Sequence, residues 1–121
     1  LLARVAERSG RSIFLMLLNL TERLGKEITD SEKLETQMEI LKEVIRSSFR
    51  RGDLFTTYSK SQYMIILVGT EKENCNKAFT RCLDRWKQTE GAKGELSYSV
   101  ESLVKMLNPE LSQEGETPDW K

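Results

Sequence analysis

The middle of the chain contains a polar turn between two strand-like segments, and this turn is the first place to look for chemistry. The stretch from Arg50 to Gly69 reads RRGDLFTTYSKSQYMIILVG, a polar and β-branched segment followed by an apolar one. This pattern predicts a β-hairpin. Its tip reads Ser59, Lys60, Ser61 and Gln62, which offers hydroxyls, an amide and an ammonium group but no carboxylate. Mg²⁺ prefers hard oxygen ligands, carboxylates above all, so the tip predicts no metal site, and we expect no cofactor.

Composition limits the chemistry that the other residues can perform. The chain has no histidine, which removes Ser–His and Cys–His nucleophile pairs and the usual zinc sites. Cys75 and Cys82 are seven positions apart on one face of a predicted helix, too far apart to bond each other, so we expect buried free thiols. Lys and Arg number 19, as do Asp and Glu, and this balance argues against direct nucleic-acid binding by this domain and against attraction to an anionic membrane.

The hydrophobic pattern predicts the order β-α-β-β-α-β. The segment SIFLMLLNL is almost continuously apolar, as in a central strand. Two helices are expected from apolar residues at helical spacing, one beginning at Asp30 or Ser31 and one capped by Thr70. The strands DLFTTYS, QYMIILVG and LSYSVESLV complete the set. The longest apolar run, 13–18, is too short to span a bilayer.

This order predicts an α+β, ferredoxin-like fold with an antiparallel sheet, strand order 4-1-3-2 and helices packed on it. The two most apolar strands, the first and the third, are then central, and the two polar strands are edges. We expect one domain over 1–107, with the end of an N-terminal helix at 1–10, and a tail or linker at 108–121. In this topology Asn19, near the end of strand 1, lies beside the hairpin tip.

With these elements in place, the hairpin resembles that of the diguanylate cyclase (GGDEF) family. Arg50-Arg51-Gly52-Asp53 matches the Arg-x-x-Asp motif that precedes the signature by five residues, and SKSQY follows where the signature belongs. The resemblance, which covers roughly residues 3–104, implies a degenerate site. Ser59 and Lys60 replace the two glycines, Ser61 and Gln62 replace the acids, and Asn19 replaces a metal-binding aspartate of strand 1. It therefore implies a non-catalytic domain, with an active diguanylate cyclase as the least favoured alternative.

A narrower resemblance concerns the segments RSGRSIFLMLLNLT and IRSSFRRGDLFTTYSKSQYMIIL. They look like the degenerate GGDEF-like C-terminal region of bacterial, chiefly clostridial, transcriptional activators that carry a bacterial transcriptional activator domain. This resemblance implies a cytoplasmic regulatory domain. Its partners would be the DNA-binding part of the same polypeptide and a homodimer partner.

Arg50 and Asp53 have two interpretations. In the family that the hairpin resembles, Arg-x-x-Asp binds cyclic di-GMP at an inhibitory site, which implies a receptor for a cyclic dinucleotide. Alternatively, Arg50 lies favourably at a helix C-terminus and Asp53 caps the turn into strand 2. Sequence alone leaves both open.

Other residues that could bind a ligand have plainer structural interpretations. The stripe of Lys42, Arg46 and Arg50 is flanked by acids and is expected to be a solvated helix face. Tyrosines on the strands could stack RNA bases, but they are better explained as aromatics that stabilise the hairpin. Trp86 belongs to a buried helical stripe, whereas Trp120 lies in the tail with no predicted core to join.

Overall fold

In the computed structural model of the chain, residues 13–103 are described. They form four strands, β1 (Ile13–Thr21), β2 (Leu54–Ser59), β3 (Gln62–Val68) and β4 (Glu95–Ser102), and two helices, α1 (Ser31–Ser48) and α2 (Lys72–Gln88). The sheet order is β2-β3-β1-β4, with every neighbouring pair antiparallel. The predicted α+β fold and strand order are thereby confirmed. The predicted helix end at 1–10 and the tail at 108–121 lie outside the described residues.

Both helices pack on one face of the sheet. Alternate residues of the two central strands are buried there, and the helices contribute apolar stripes at helical spacing. The largest buried contributors include Met16, Leu18, Leu41, Ile45, Ile65 and Cys82. The polar strands β2 and β4 form the two edges, as the sequence predicts.

The two helices differ in how their N-termini are capped. Asp30 is the N-cap of α1, and its Oδ1 accepts hydrogen bonds from the backbone N–H groups of Glu32 and Lys33. The expectation that Thr70 caps α2 is wrong, because α2 begins at Lys72 with Glu71 as an N-cap that makes no side-chain bond. The hydroxyl of Thr70 instead accepts a hydrogen bond from the guanidinium of Arg50.

The opposite face of the sheet carries no helix among the described residues. Its side chains lie in rows across the strands, and the rows change from apolar to polar toward the hairpin tip. One row joins Leu15, Ile66 and Leu54, and the row at the tip joins Asn19 and Gln62. Where the chain enters and leaves the sheet, Ile13 and Leu103 are buried together. No helix within residues 13–103 is long and apolar enough to cross a bilayer.

Candidate functional site

The hairpin tip and the end of β1 meet as the predicted topology requires. Asn19 and Gln62 are paired in the β1–β3 register. One position further along β1, the Leu20 N–H donates to the Ser61 carbonyl at 2.9 Å. The tip is thus held to the central strand by backbone as well as by side chains.

A continuous row of side-chain hydrogen bonds crosses all four strands at this point. Ser59 Oγ donates to Gln62 Oε1 at 2.7 Å, and Gln62 Nε2 donates to Asn19 Oδ1 at 2.6 Å. Asn19 Nδ2 then donates to Ser97 Oγ on β4 at 3.3 Å. We call Ser59, Gln62, Asn19 and Ser97 the tip chain. Its two amide oxygens, the atoms best suited to a cation, each accept a hydrogen bond from a neighbour within the row.

Two of the acids near the tip are engaged elsewhere. Asp30 caps α1, and Glu22 forms an ion pair with Lys33 at 3.2 Å. Within residues 13–103, no group of three or more His, Cys, Asp or Glu side chains is placed to hold a metal ion. This part of the chain therefore presents no carboxylate cage of the kind that Mg²⁺ uses.

Beside the tip, an open groove of about 470 Å³ separates α1 from the hairpin. Leu34, Met38 and Tyr63 give it an apolar lining, whereas Glu39 and Lys60 bring opposite charges to its walls. The Tyr63 hydroxyl donates to the Met38 carbonyl at 3.0 Å. Burial, and secondarily the Glu39 carboxylate, raise the pKa of Tyr63, so this phenol stays protonated at neutral pH.

Arg50 and Asp53 bind each other at the end of α1. Asp53 Oδ2 accepts from the Arg50 backbone N–H at 3.0 Å, and the Asp53 N–H donates to the Arg50 carbonyl at 3.0 Å. The Asp53 side chain is only 4% exposed, whereas that of Arg50 is 56% exposed. Asp53 therefore acts as a turn cap in this structure, and Arg50 is the member of the pair that solvent or a ligand can reach.

The Arg50 guanidinium also connects α1 to the end of β3. Its Nη2 donates to the Val68 carbonyl at 2.8 Å and lies 3.5 Å from Asp53 Oδ1. The cleft beside it, about 230 Å³, is also lined by Lys77 and Arg81 of α2. The structure thus brings to Arg50 two further cations from a distant part of the sequence.

Two features of these sites escape sequence reasoning. Ser97 joins the tip chain through β4, some eighty positions from Asn19, and nothing in its local sequence distinguishes it from the nearby Ser99. Lys77 and Arg81 resemble any exposed helix cations, and only the packing of α2 against α1 directs them to Arg50. The antiparallel β1–β4 register of the structure, which pairs Asn19 with Ser97, brings Ser97 into the row.

Solved structures with the same fold come from three bacteria. A DGC protein from Thermotoga maritima is similar with a TM-score of 0.69 and 13% identity, covering 92% of this chain and 82% of that one. A sensory box/GGDEF family protein from Caulobacter crescentus gives 0.61 and 9%, covering 91% and 81%. Diguanylate cyclase SiaD from Pseudomonas aeruginosa, solved in complex with its activator SiaC, gives 0.58 and 14%, covering 83% of this chain and 40% of that one.

These likenesses show that the chain has a GGDEF-like fold. No protein-family model matches the sequence, and no curated protein matches it either. The identities of 9–14% show the fold alone, so function has to be argued from this chain's own residues.

Proposed function

We propose that this chain is a non-catalytic, GGDEF-like regulatory domain that acts through contacts with other protein segments. The observation that carries the proposal is the tip chain. At two of the positions where the hairpin's resemblance to the cyclase family implies metal ligands, Asn19 and Gln62, the side-chain amides bond each other, and neighbouring hydroxyls extend the row on both sides. Phosphoryl transfer from a nucleoside triphosphate depends on metal ions that neutralise the developing charge. Asn19, Ser61 and Gln62 supply no negative charge for such ions.

Incubation of the chain with GTP and Mg²⁺, followed by chromatography of the products, tests this proposal. We expect no cyclic dinucleotide and no pyrophosphate release above that of a protein-free control. An active diguanylate cyclase run in parallel verifies the conditions. Formation of a dinucleotide by this chain would overturn the proposal, because it would require the tip to hold the metal ions that we exclude.

We further propose that the domain is the regulatory part of a bacterial, cytoplasmic transcriptional regulator. What supports it is the resemblance of residues 8–21 and 45–67 to the C-terminal region of such activators. The partners would be the DNA-binding part of the same polypeptide and a second copy of the chain. On the surface, Leu54 and Tyr58 of the edge strand are each 59% exposed and offer apolar contact area to a protein partner. A winged-helix segment encoded in the same gene would support this role, whereas a membrane sensor in its place would contradict it.

A second candidate function is that of a cyclic di-GMP receptor. It is favoured by the cations Arg50, Lys77 and Arg81, which line one cleft and suit a ligand with two phosphates. The engagement of Asp53 with the Arg50 backbone weighs against it, because that carboxylate would have to leave its cap to bind a guanine edge.

Titration calorimetry with cyclic di-GMP tests the receptor directly. The informative variant is Lys77→Ala, because the Lys77 side chain lines the cleft and has no hydrogen bond or ion pair within residues 13–103, so the fold does not depend on it. Lys42→Ala on α1 is the matched control. A receptor would show saturable binding that Lys77→Ala weakens at least several-fold and Lys42→Ala leaves unchanged. Absence of heat with the unmodified chain would eliminate this candidate.

A further inference from the structure

The outer edge of β2 lacks most of the features that keep two sheets from pairing. Among residues 13–103, β2 pairs with β3 and with no other strand, so its outer side presents backbone groups that are not part of the described sheet. The β2 sequence LFTTYS contains no charge and no proline, and most of its residues are types that favour strands. A bulge between Thr57 and Ser59 is its one irregularity, and it lies at the hairpin tip.

The opposite edge of the described sheet is protected. β4 carries an exposed glutamate near each of its ends, Glu95 and Glu101. Charged side chains on an edge strand disfavour pairing with a further strand. A symmetric contact through β2 would therefore use the one uncharged edge of the described sheet, and it would close as a dimer rather than continue into a fibre.

We propose that the chain forms a twofold dimer in which β2 pairs antiparallel with β2 of a second copy, with Thr56 opposite its own counterpart. The inference deepens the proposed function and rests on it, because it names one of the protein contacts through which the domain would act. In this register, Leu54 of one protomer lies opposite Tyr58 of its partner, and each of these side chains is 59% exposed in the single chain. Cross-strand pairs between an aromatic and an apolar side chain stabilise a sheet, as do pairs of threonines.

The charges of α1 along β2 are also complementary under this twofold axis. Glu35 and Glu39 line the groove near the hairpin tip, whereas Arg46 lines a depression beside the start of β2. An antiparallel β2 pair brings the acidic end of this side of α1 toward the basic end of the same side in the partner. A self-complementary arrangement is what a twofold interface requires.

The predicted interface is small. The six residues of β2 extend over about 20 Å, at roughly 3.4 Å per residue. Arg51 and Lys60 lie at its two ends, where both are exposed and where solvent and salt screen their like charges. We therefore expect a reversible dimer of the weak class that buries less than about 1,200 Å².

Sedimentation velocity of the full chain, across the micromolar to millimolar range, tests the dimer. We expect the sedimentation coefficient to rise with protein concentration toward that of a dimer. Thr56→Lys should raise the dissociation constant several-fold, because it places two ammonium groups opposite each other at the twofold axis. Ser99→Lys is the matched control, since it adds the same charge to an exposed position of β4 and should leave the dissociation constant unchanged.

Oxidative cross-linking tests the register. The native thiols Cys75 and Cys82 are buried, so an introduced cysteine on an edge strand is the one expected to react. Thr56→Cys should give a covalent dimer. Leu54→Cys should not, because the proposed register separates this residue from its own counterpart by about 14 Å along the strands, beyond the reach of a disulfide at about 7 Å. Ser99→Cys should not give one either.

A chain that remains monomeric at every concentration would overturn the proposal. Cross-linking of Leu54→Cys or Ser99→Cys as efficient as that of Thr56→Cys would overturn it too, because the contact would then lack the proposed register. Neither result would affect the non-catalytic role, which incubation with GTP and Mg²⁺ tests separately.

Discussion

Gln62 is the residue on which the tip chain depends most, because its side chain both donates and accepts within it. Its replacement removes two hydrogen bonds at once and leaves Asn19 Oδ1 without its donor. The neighbouring rows of the sheet are unaffected, since the side chains that pack under the tip come from the other face.

Gln62→Ala should therefore lower the free energy of unfolding by about 1–2 kcal/mol, at about 1 kcal/mol per net hydrogen bond. Urea denaturation measures the change, and a double-mutant cycle with Asn19→Ala should yield a coupling of about 0.5–1.5 kcal/mol. Ser99→Ala, one row away on β4, is the control and should change stability by less than about 0.5 kcal/mol. Additive effects of the two tip substitutions would show that the amides do not act together.

Cys82 makes stability depend on pH in the alkaline range. Burial raises the pKa of this thiol from 9.0 to about 11, although its hydrogen bond with Ser48 and the charge of Arg81 oppose the shift. Because the folded chain keeps the proton that the unfolded chain loses, folding is favoured below about pH 9 and that advantage disappears as pH rises to about 11. The loss is at most about 2–3 kcal/mol, at about 1.4 kcal/mol per pKa unit.

Denaturation curves of the unmodified chain and of Cys82→Ala between pH 8 and 11 measure this effect. Burial also raises the pKa values of Tyr63 and Cys75, so both proteins should lose stability with rising pH. The slope should be shallower in Cys82→Ala, because one of the three groups is gone. Equal slopes in the two proteins would contradict a buried, protonated Cys82.

At the scale of elements, α1 is positioned by its N-terminus. The Asp30 side chain satisfies two backbone N–H groups that the helix leaves unpaired, and a carboxylate at this end also suits the helix dipole. The first turn of α1 forms a wall of the groove beside the hairpin tip, so the cap also fixes that groove.

Asp30→Ala should lower the free energy of unfolding by about 1 kcal/mol, a typical cost of losing an N-cap. Glu27→Ala is the matched control, because it removes an exposed acid three residues earlier that has no hydrogen bond or ion pair within residues 13–103. Thermal unfolding followed by circular dichroism compares the two variants. The same loss in both would attribute the effect to net charge rather than to capping.

Sequence patterns predict most elements because hydrophobic periodicity depends on burial, which the two helices and two central strands share. They fail where geometry depends on distant residues. Thr70 has the right chemistry for an N-cap, but Arg50, twenty positions away, takes its hydroxyl. The loop after β1 is a second case. Leu24 adopts a φ of 62° there and is 90% exposed, and nothing in its sequence neighbourhood predicts a left-handed leucine.

At the scale of the whole molecule, the predicted convergence of β1 with the hairpin tip is confirmed by the register and by the Asn19–Gln62 hydrogen bond. Topology alone was enough for that prediction, because β1 and β3 are forced to be antiparallel neighbours. The full tip chain was not predictable, since Ser97 enters it from β4. The same holds for the cleft that Arg50 shares with Lys77 and Arg81, which depends on how α2 lies against the end of α1.

The whole sheet also determines how the tip responds to metal ions. Since the tip chain is neutral and its amide oxygens accept hydrogen bonds from neighbours, removal of metal by a chelator should leave the melting temperature unchanged, as should addition of Mg²⁺. Differential scanning calorimetry with EDTA and with Mg²⁺ checks this. A Mg²⁺-dependent rise in melting temperature would indicate a cation bound to the folded chain.

The most direct test of whether the tip binds a metal ion is a titration of the chain with Mg²⁺. It is followed through the side-chain amide resonances of Asn19 and Gln62. The variant that restores acids, Asn19→Asp with Ser61→Asp and Gln62→Glu, serves as the comparison and is followed through the backbone amides of residues 19–22 and 59–63. We expect the unmodified chain to show no saturable shift at either set of resonances. We expect the restored variant to show a saturable shift, because carboxylates then replace the amides and one hydroxyl. Saturable binding at the tip of the unmodified chain would contradict a site without metal and the non-catalytic role proposed from it.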